Sequence, residues 1–563
     1  MSARWNASRW PILVGHFFRS LFRLSFLDAA GEESFRRAMI GLLTGIFGLG
    51  LFFARLFLTK YSGLSRATSP DHYRLMLPAD QFLMICLSMC AVGLVVSLAL
   101  PSIFPDETDF RTLMALPLSR RTIFSAKCTA VLLFASIFST VSYLGFGAPF
   151  TLVSHGRWAQ FPLATRLGTH LVATMAACAF TVLAIVAIQG LLLALAPRRW
   201  LQRLSVVVQT LLIGAVVLSL PLVARAPTLW SSLPRQPGWL LWVPSAWFLG
   251  LQEWLLGNRD EYFTSLAAAA LAGIVVAAVL TGASYAIAYA RFDQTVLRQA
   301  IDGAPPKWNV TIPPLLSRHP CYEAIRQFTA ATLYRSGLHQ LVFGGAIAAG
   351  LALAIDRLLA SVNATDRSFQ AAVIATPLTL MAGASVGLRL ALLLPTNIRA
   401  GWIFRFTENQ ETRRYSMDAV RWTLFRLGVG VPTLLAAPLF VGTLGVRHSV
   451  ASLPIVLLLG WILTEMLSID WRRIPFTCTI LFAKHPPAYT ILIAILIFGW
   501  FVFLGRAVVD VARSGVQPWC IVGAVLAAAG GALSWYRHLT WGRLPLEFED
   551  YLPDDVHPLR LGP

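Results

Sequence analysis

Residues Phe82 to Phe104 read FLMICLSMCAVGLVVSLALPSIF, a stretch without a charged side chain and with serine as its only hydroxyl type. As an α-helix it is long enough to cross ~30 Å of hydrocarbon, which makes it a transmembrane segment rather than the core helix of a soluble domain. Similar runs recur along the 563 residues, of which 56% are hydrophobic and 13% charged, and the mean hydropathy is +0.66. Apolar residues this dense cannot all be hidden in water-soluble cores, and no heptad spacing suggests a coiled coil. The expected fold class is all-α: a polytopic membrane protein of about twelve transmembrane helices with amphipathic helices on the cytoplasmic surface.

Outward from that run, apolar stretches fall at Met39 to Leu58, Thr129 to Val153, Gly168 to Ala196, Val206 to Val223 and Ser265 to Ala290. After a polar interval come Leu341 to Ala360, Phe369 to Pro395, Leu427 to Val446, Val450 to Ser468, Ala488 to Val509 and Trp519 to Trp535. With the N-terminus inside, roughly 31 of the 46 Lys and Arg fall on the cytoplasmic side and roughly 11 outside, as the positive-inside rule requires. This bias accounts for the net charge of +19 without nucleic-acid binding. Both termini are then cytoplasmic. The long external segment Arg225 to Phe263, with five tryptophans among several prolines, suggests an interfacial stretch carrying a short helix from about Ser245 to Leu256.

The halves correspond. Each opens on a basic amphipathic stretch, Arg9 to Arg37 and Cys321 to His339, and each has a charged loop between its second and third spans. Two copies of one six-helix module explain this economically: residues 1–290 with the N-terminal amphipathic helix, a cytoplasmic linker at 291–339, a second module at 340–536, and an acidic tail at 537–563. That tail is a solvated end or a docking strip for a basic partner. The seven cysteines show no ligand or disulfide spacing, and the N-terminus carries no cleavable signal pattern.

The most informative loop is Phe104 to Lys127, FPDETDFRTLMALPLSRRTIFSAK. Asp106 can cap a helix with Glu107 and Asp109 in its first turn, and Phe110, Leu113 and Met114 share one face. Leu116-Pro117 breaks that helix, and Ser119 is placed to cap a second whose first residues, Arg120 and Arg121, lead directly into the third span. Such an element can pass push and pull from a cytoplasmic partner into the membrane, although an ordinary loop held inside by its arginines would look similar.

The residues LMALPLSRRTIFSAK, preceded by an acidic turn and followed by an apolar span, resemble the second-to-third-helix loop of ABC-2 type transporter permeases. The resemblance implies two fused six-helix units, each preceded by an amphipathic connecting helix, and a coupling helix at Asp106 to Arg121 that docks on a separate cytoplasmic ATP-hydrolysing subunit. The loop of the second half, NIRAGWIFRFTENQETRRYSMDAVR, lacks the Leu-Pro-x-Ser-Arg-Arg core. With Arg405, Glu408, Glu411, Arg413 and Arg414 it is a possible second coupling loop.

A P-loop needs GxxxxGK[ST], and none of the four lysines is preceded by glycine, so ATP hydrolysis is expected in another polypeptide and no cofactor is implied. Arg389 and Glu465 lie within spans, a possible intramembrane polar site through a shared path or an ion pair. Gln189 and Gln209 suit hydrogen bonds between helices. An ion-coupled transporter of six-plus-six plan, or a membrane scaffold or enzyme without a recognisable catalytic site, remains the alternative.

Overall fold

The computed structural model describes residues 2–21, 31–66, 69–103, 119–195, 198–224, 238–301, 319–361, 366–394, 396, 401–469, 471–478, 487–543, 546 and 548. The described residues form helices and turns, with no strand among them. Eight helices in this set are long and apolar enough to cross a membrane, which makes the chain a multi-pass helical membrane protein. Contacts divide it into two compact units, Met1–Pro306 and Lys307–Pro563.

The first unit contains α1 (Ser2–Ser20), α2 (Gly31–Arg66), α3 (Asp71–Ile103), α4 (Arg120–Ser142), a π-helix (Tyr143–Gly147), α5 (Ala148–Val153), α6 (Leu163–Leu195), α7 (Arg198–Ala224), α8 (Pro244–Leu255) and α9 (Glu261–Ile301). Its core is the packing of α3, α6, α8 and α9. The small residues of α9 allow close approach. Ala267 and Ala270 are buried, and a Cβ on Gly250 would fall 2.2 Å from the Leu266 Cβ. The expected short helix near Ser245 is present as α8, but it is no surface helix: Ala246, Phe248, Leu249 and Leu251 are buried. Its apolar residues surround the axis instead of forming one stripe, so burial on several sides is favoured over a headgroup boundary.

The second unit contains α10 (Pro320–Arg335), α11 (Gly337–Ser361), α12 (Asp366–Leu393), α13 (Gly401–Phe406), α14 (Gln410–Phe425), a π-helix (Arg426–Gly430), α15 (Val431–Ser468), α16 (Pro487–Ala512) and α17 (Val516–Arg543). Helix α12 is central, packed by α11, α15 and α16. Gly350 and Gly383 bring α11 and α12 together; a Cβ on Gly383 would lie 2.8 Å from the Ala346 carbonyl. The amphipathic stretch expected from Cys321 to His339 is broken at Ser336, whose extended backbone separates α10 from α11.

The expected spans Leu427 to Val446 and Val450 to Ser468 form one helical element interrupted at Gly445, where φ is 77° and ψ 161°. Glycine adopts this conformation without the steric penalty of a Cβ. The chain folds back there, because a Cβ on Gly460 would lie 2.4 Å from Val429 and Arg421 pairs with Glu465. The stretches Met39 to Leu58, Val206 to Val223 and Ala488 to Val509 fall on α2, α7 and α16, whose side chains are described only in part.

A correspondence absent from the sequence reading emerges in the third helices. The π-helix of the first unit lies in Leu144-Gly145-Phe146-Gly147-Ala148-Pro149, and that of the second in Leu427-Gly428-Val429-Gly430-Val431-Pro432. The cause is local in both. A proline cannot donate to the carbonyl four residues back and its ring clashes with it, so widening the helix at the glycine relieves the conflict. In the first unit, α2 comes very close to that carbonyl: a Cβ on Gly50 would stand 2.0 Å from the Gly145 oxygen.

Candidate functional site

The loop singled out by sequence is flanked by two described ends. Asp106, Glu107, Asp109, Phe110, Leu113, Met114, Leu116 and Pro117 lie outside the described residues, as do the side chains of Arg120 and Arg121. At its start, the Ile103 carbonyl accepts a hydrogen bond from the Tyr285 hydroxyl at 3.0 Å. At its end, the Ser119 hydroxyl accepts from the Thr122 amide at 3.1 Å and caps α4, as its position predicts. From that cap the helix continues through the π-helix to Val153.

The foot of α4 is gripped by α1. Leu13, Val14 and Phe17 pack on Ile123, Ala126 and Ala130; the Trp10 indole donates to the Ser125 hydroxyl at 3.2 Å; and the Lys127 ammonium sits 5.3 Å from the Phe17 ring centre. Phe124 meets Tyr285 with ring centres 5.3 Å apart. A displacement of the loop would therefore be carried into the span and into α1 together.

In the second unit the charged loop is described from Gly401 onward. Asn409 and Thr412 form a reciprocal capping box at the start of α14. Glu408 accepts from Arg413 at 2.8 Å and from the Leu546 backbone amide at 3.0 Å. Glu411 faces His319 at 3.8 Å, and His319 stacks on Tyr415. Arg405 and Arg414 are exposed.

Glu465 and Arg389 occupy different settings. The fully buried Glu465 carboxylate binds Arg421 at 2.9 Å, Arg537 at 2.6 Å and the Trp461 indole at 3.0 Å. Asp418 lies 3.7 Å from Arg421 and 3.5 Å from Arg537, closing a group with two charges of each sign. The Arg389 guanidinium lies over the Trp471 ring, 3.8 Å from its centre. Sequence reading missed Asp418, Arg421 and Arg537, which resemble ordinary loop and span-end charges.

A second polar cluster was also missed, at the end of the first unit opposite Ser119. Asp80 accepts from Lys60 at 2.6 Å and Tyr61 at 2.8 Å; Arg166 donates to the Ser154 carbonyl and hydroxyl; and the His170 Nδ1 donates to Gln252 at 2.8 Å. Burial pushes the nearby Glu253 carboxyl above its usual range, against the opposing influence of Asn258 and Arg166. Gln189 donates to Ser205 and joins α6 to α7 as expected, whereas Gln209 donates to the same hydroxyl from within α7, one turn away, and makes no described bond between helices.

Comparisons with known family models, with characterised proteins and with solved structures find no match to the chain.

Proposed function

We propose that the chain is the membrane-spanning permease subunit of an ATP-binding-cassette exporter, of the ABC-2 type that Phe104 to Lys127 resembles. It has twelve spans in two six-helix modules, lies in a bacterial inner membrane with both termini cytoplasmic, and is driven by a separate ATPase. The observation carrying this reading is the continuity at Ser119: a capped helix whose first residues are two arginines runs into a membrane span without leaving helical structure. The matching Leu-Gly-x-Gly-x-Pro π-helices support two related modules. Residues from 59–81, 154–167 and 225–263, all external by the charge rule, meet one another in the first unit, which supports their lying on one side of the membrane. An ion-coupled carrier would want a carboxylate free to exchange protons, whereas Glu465 is held by two guanidinium groups.

The test is Arg120→Glu with Arg121→Glu. Reversing two charges at a protein interface costs several kcal/mol while leaving helix propensity nearly unchanged. The double variant is expected to reach the membrane in normal amount and to lose both co-purification with a P-loop ATPase and transport. Normal ATPase binding by this variant overturns the assignment.

A further inference from the structure

The second loop is already engaged by this chain. Leu546, just beyond the end of α17, is 9% exposed and closes a cleft lined by Arg413, Met417, Ile469, Trp471, Arg472 and Thr540. Phe548 packs on the same apolar cluster, which includes Ile325 of α10, Leu392 of α12 and Val420 of α14. The Leu546 amide donates to Glu408, and that carboxylate also holds Arg413. The contact thus combines two apolar side chains with one charge-assisted backbone hydrogen bond. Two of the charged residues that a partner would read in this loop, Glu408 and Arg413, are bound to each other beneath the strap; each is 14% exposed.

We propose that Leu546 and Phe548 act as an internal strap that occupies the partner-facing side of the second loop at Glu408 and Arg413, so that a cytoplasmic ATPase grips the first unit's loop and reaches the second only when the strap leaves. The second clause rests on the function proposed above; the seating of the strap does not.

Seating is read in the full-length protein in membranes by alkylation of Met417→Cys, a position 1% exposed under Leu546, with peptide-resolved detection to separate it from native cysteines. Leu546→Asp with Phe548→Asp is expected to speed labelling about tenfold or more, the ratio that ~1.4 kcal/mol of lost burial supplies, and Leu546→Met is expected to retain protection. Equal rates with and without the aspartates overturn the strap. Should the aspartate variant fail to accumulate, a short thiol-bridging reagent applied to Met417→Cys with Leu546→Cys decides: an intrachain bridge is expected, and its absence overturns the seating.

Occupancy of the loop is read with a photo-crosslinking residue at the exposed position 414 and another at 121, scoring capture of a polypeptide that also takes azido-ATP label. Capture from position 121 in both chains, and from 414 only in the aspartate variant, is expected. Equal capture from 414 with the strap seated overturns the proposal. Capture from neither position, with Met417→Cys still protected, defeats the ATPase reading and the strap's role in partner access while leaving its seating intact.

Discussion

The two units fasten opposite kinds of ends. In the first, a group of charged and tyrosine side chains, Lys60, Tyr61, Tyr73, Asp80 and Arg166, is joined by hydrogen bonds at the end away from Ser119. The contacts around the foot of α4 are largely apolar or aromatic, from Leu13, Phe17 and Tyr285. In the second, a buried ion-pair group lies at the loop end itself, where Glu465, Arg421 and Arg537 clamp α14, α15 and α17 and Glu408 holds Leu546. Apolar packing is non-directional and permits sliding, whereas a buried charge must keep its partners. Two units that share a π-helix motif thus differ in the described contacts around their charged loops, apolar and aromatic around the start of α4 and ionic around α14.

The largest expected effect separates the two clusters by burial. Glu465→Gln leaves the buried Arg537 and the part-exposed Arg421 with the outlying Asp418 as their described counter-charge and is expected to cost about 3–5 kcal/mol. Asp80→Asn, whose partner Lys60 is 32% exposed and can turn to water, is expected to cost about 1–3 kcal/mol. Thermal unfolding in detergent checks the order; equal losses would break the contrast.

A smaller effect probes the π-helix of the first unit. Gly50→Ala puts a methyl into the Gly145 carbonyl and is expected to cost about 1–3 kcal/mol. Gly48→Ala, with nothing within 4 Å of the new Cβ, is expected to gain up to about 1 kcal/mol from helix propensity. Melting midpoints of the two variants should move in opposite directions.

The smallest effect is a pH dependence. Because burial raises the folded-state pKa of Glu253 above its ordinary 4.5, the stability it contributes is present below that value and is lost as pH rises through the raised one. Glu253→Gln is expected to flatten the melting midpoint across that window and to gain slightly above it. A wild-type midpoint that instead rises with pH there, with the variant flat, would reverse the sign assigned to this group.

Much of this was legible from the chain alone. Hydropathy located the apolar helices, and Ser119 fell at a helix start because its hydroxyl suits that position. The partners of Glu465 were not legible, since Arg537 lies 72 positions away and its pairing depends on tertiary packing. The burial of α8 escaped for the same reason. The π-helices escaped differently: their Gly-x-Gly-x-Pro signal was present, but helix periodicity assumes a constant turn and has no place for a local change in it.

That change alters what insertions and deletions mean in the third helices. A π-turn takes up one surplus residue, so beyond Gly147 and Gly430 the side chains face the directions that a plain α-helix would assign to the residue before each. Removing the proline of either motif would convert the bulge to ordinary helix while keeping the faces on both sides in phase. A one-residue deletion a few turns away would swing every later side chain by roughly 100°. Each of these two helices therefore has a place where chain length can change by one without rewriting its contacts.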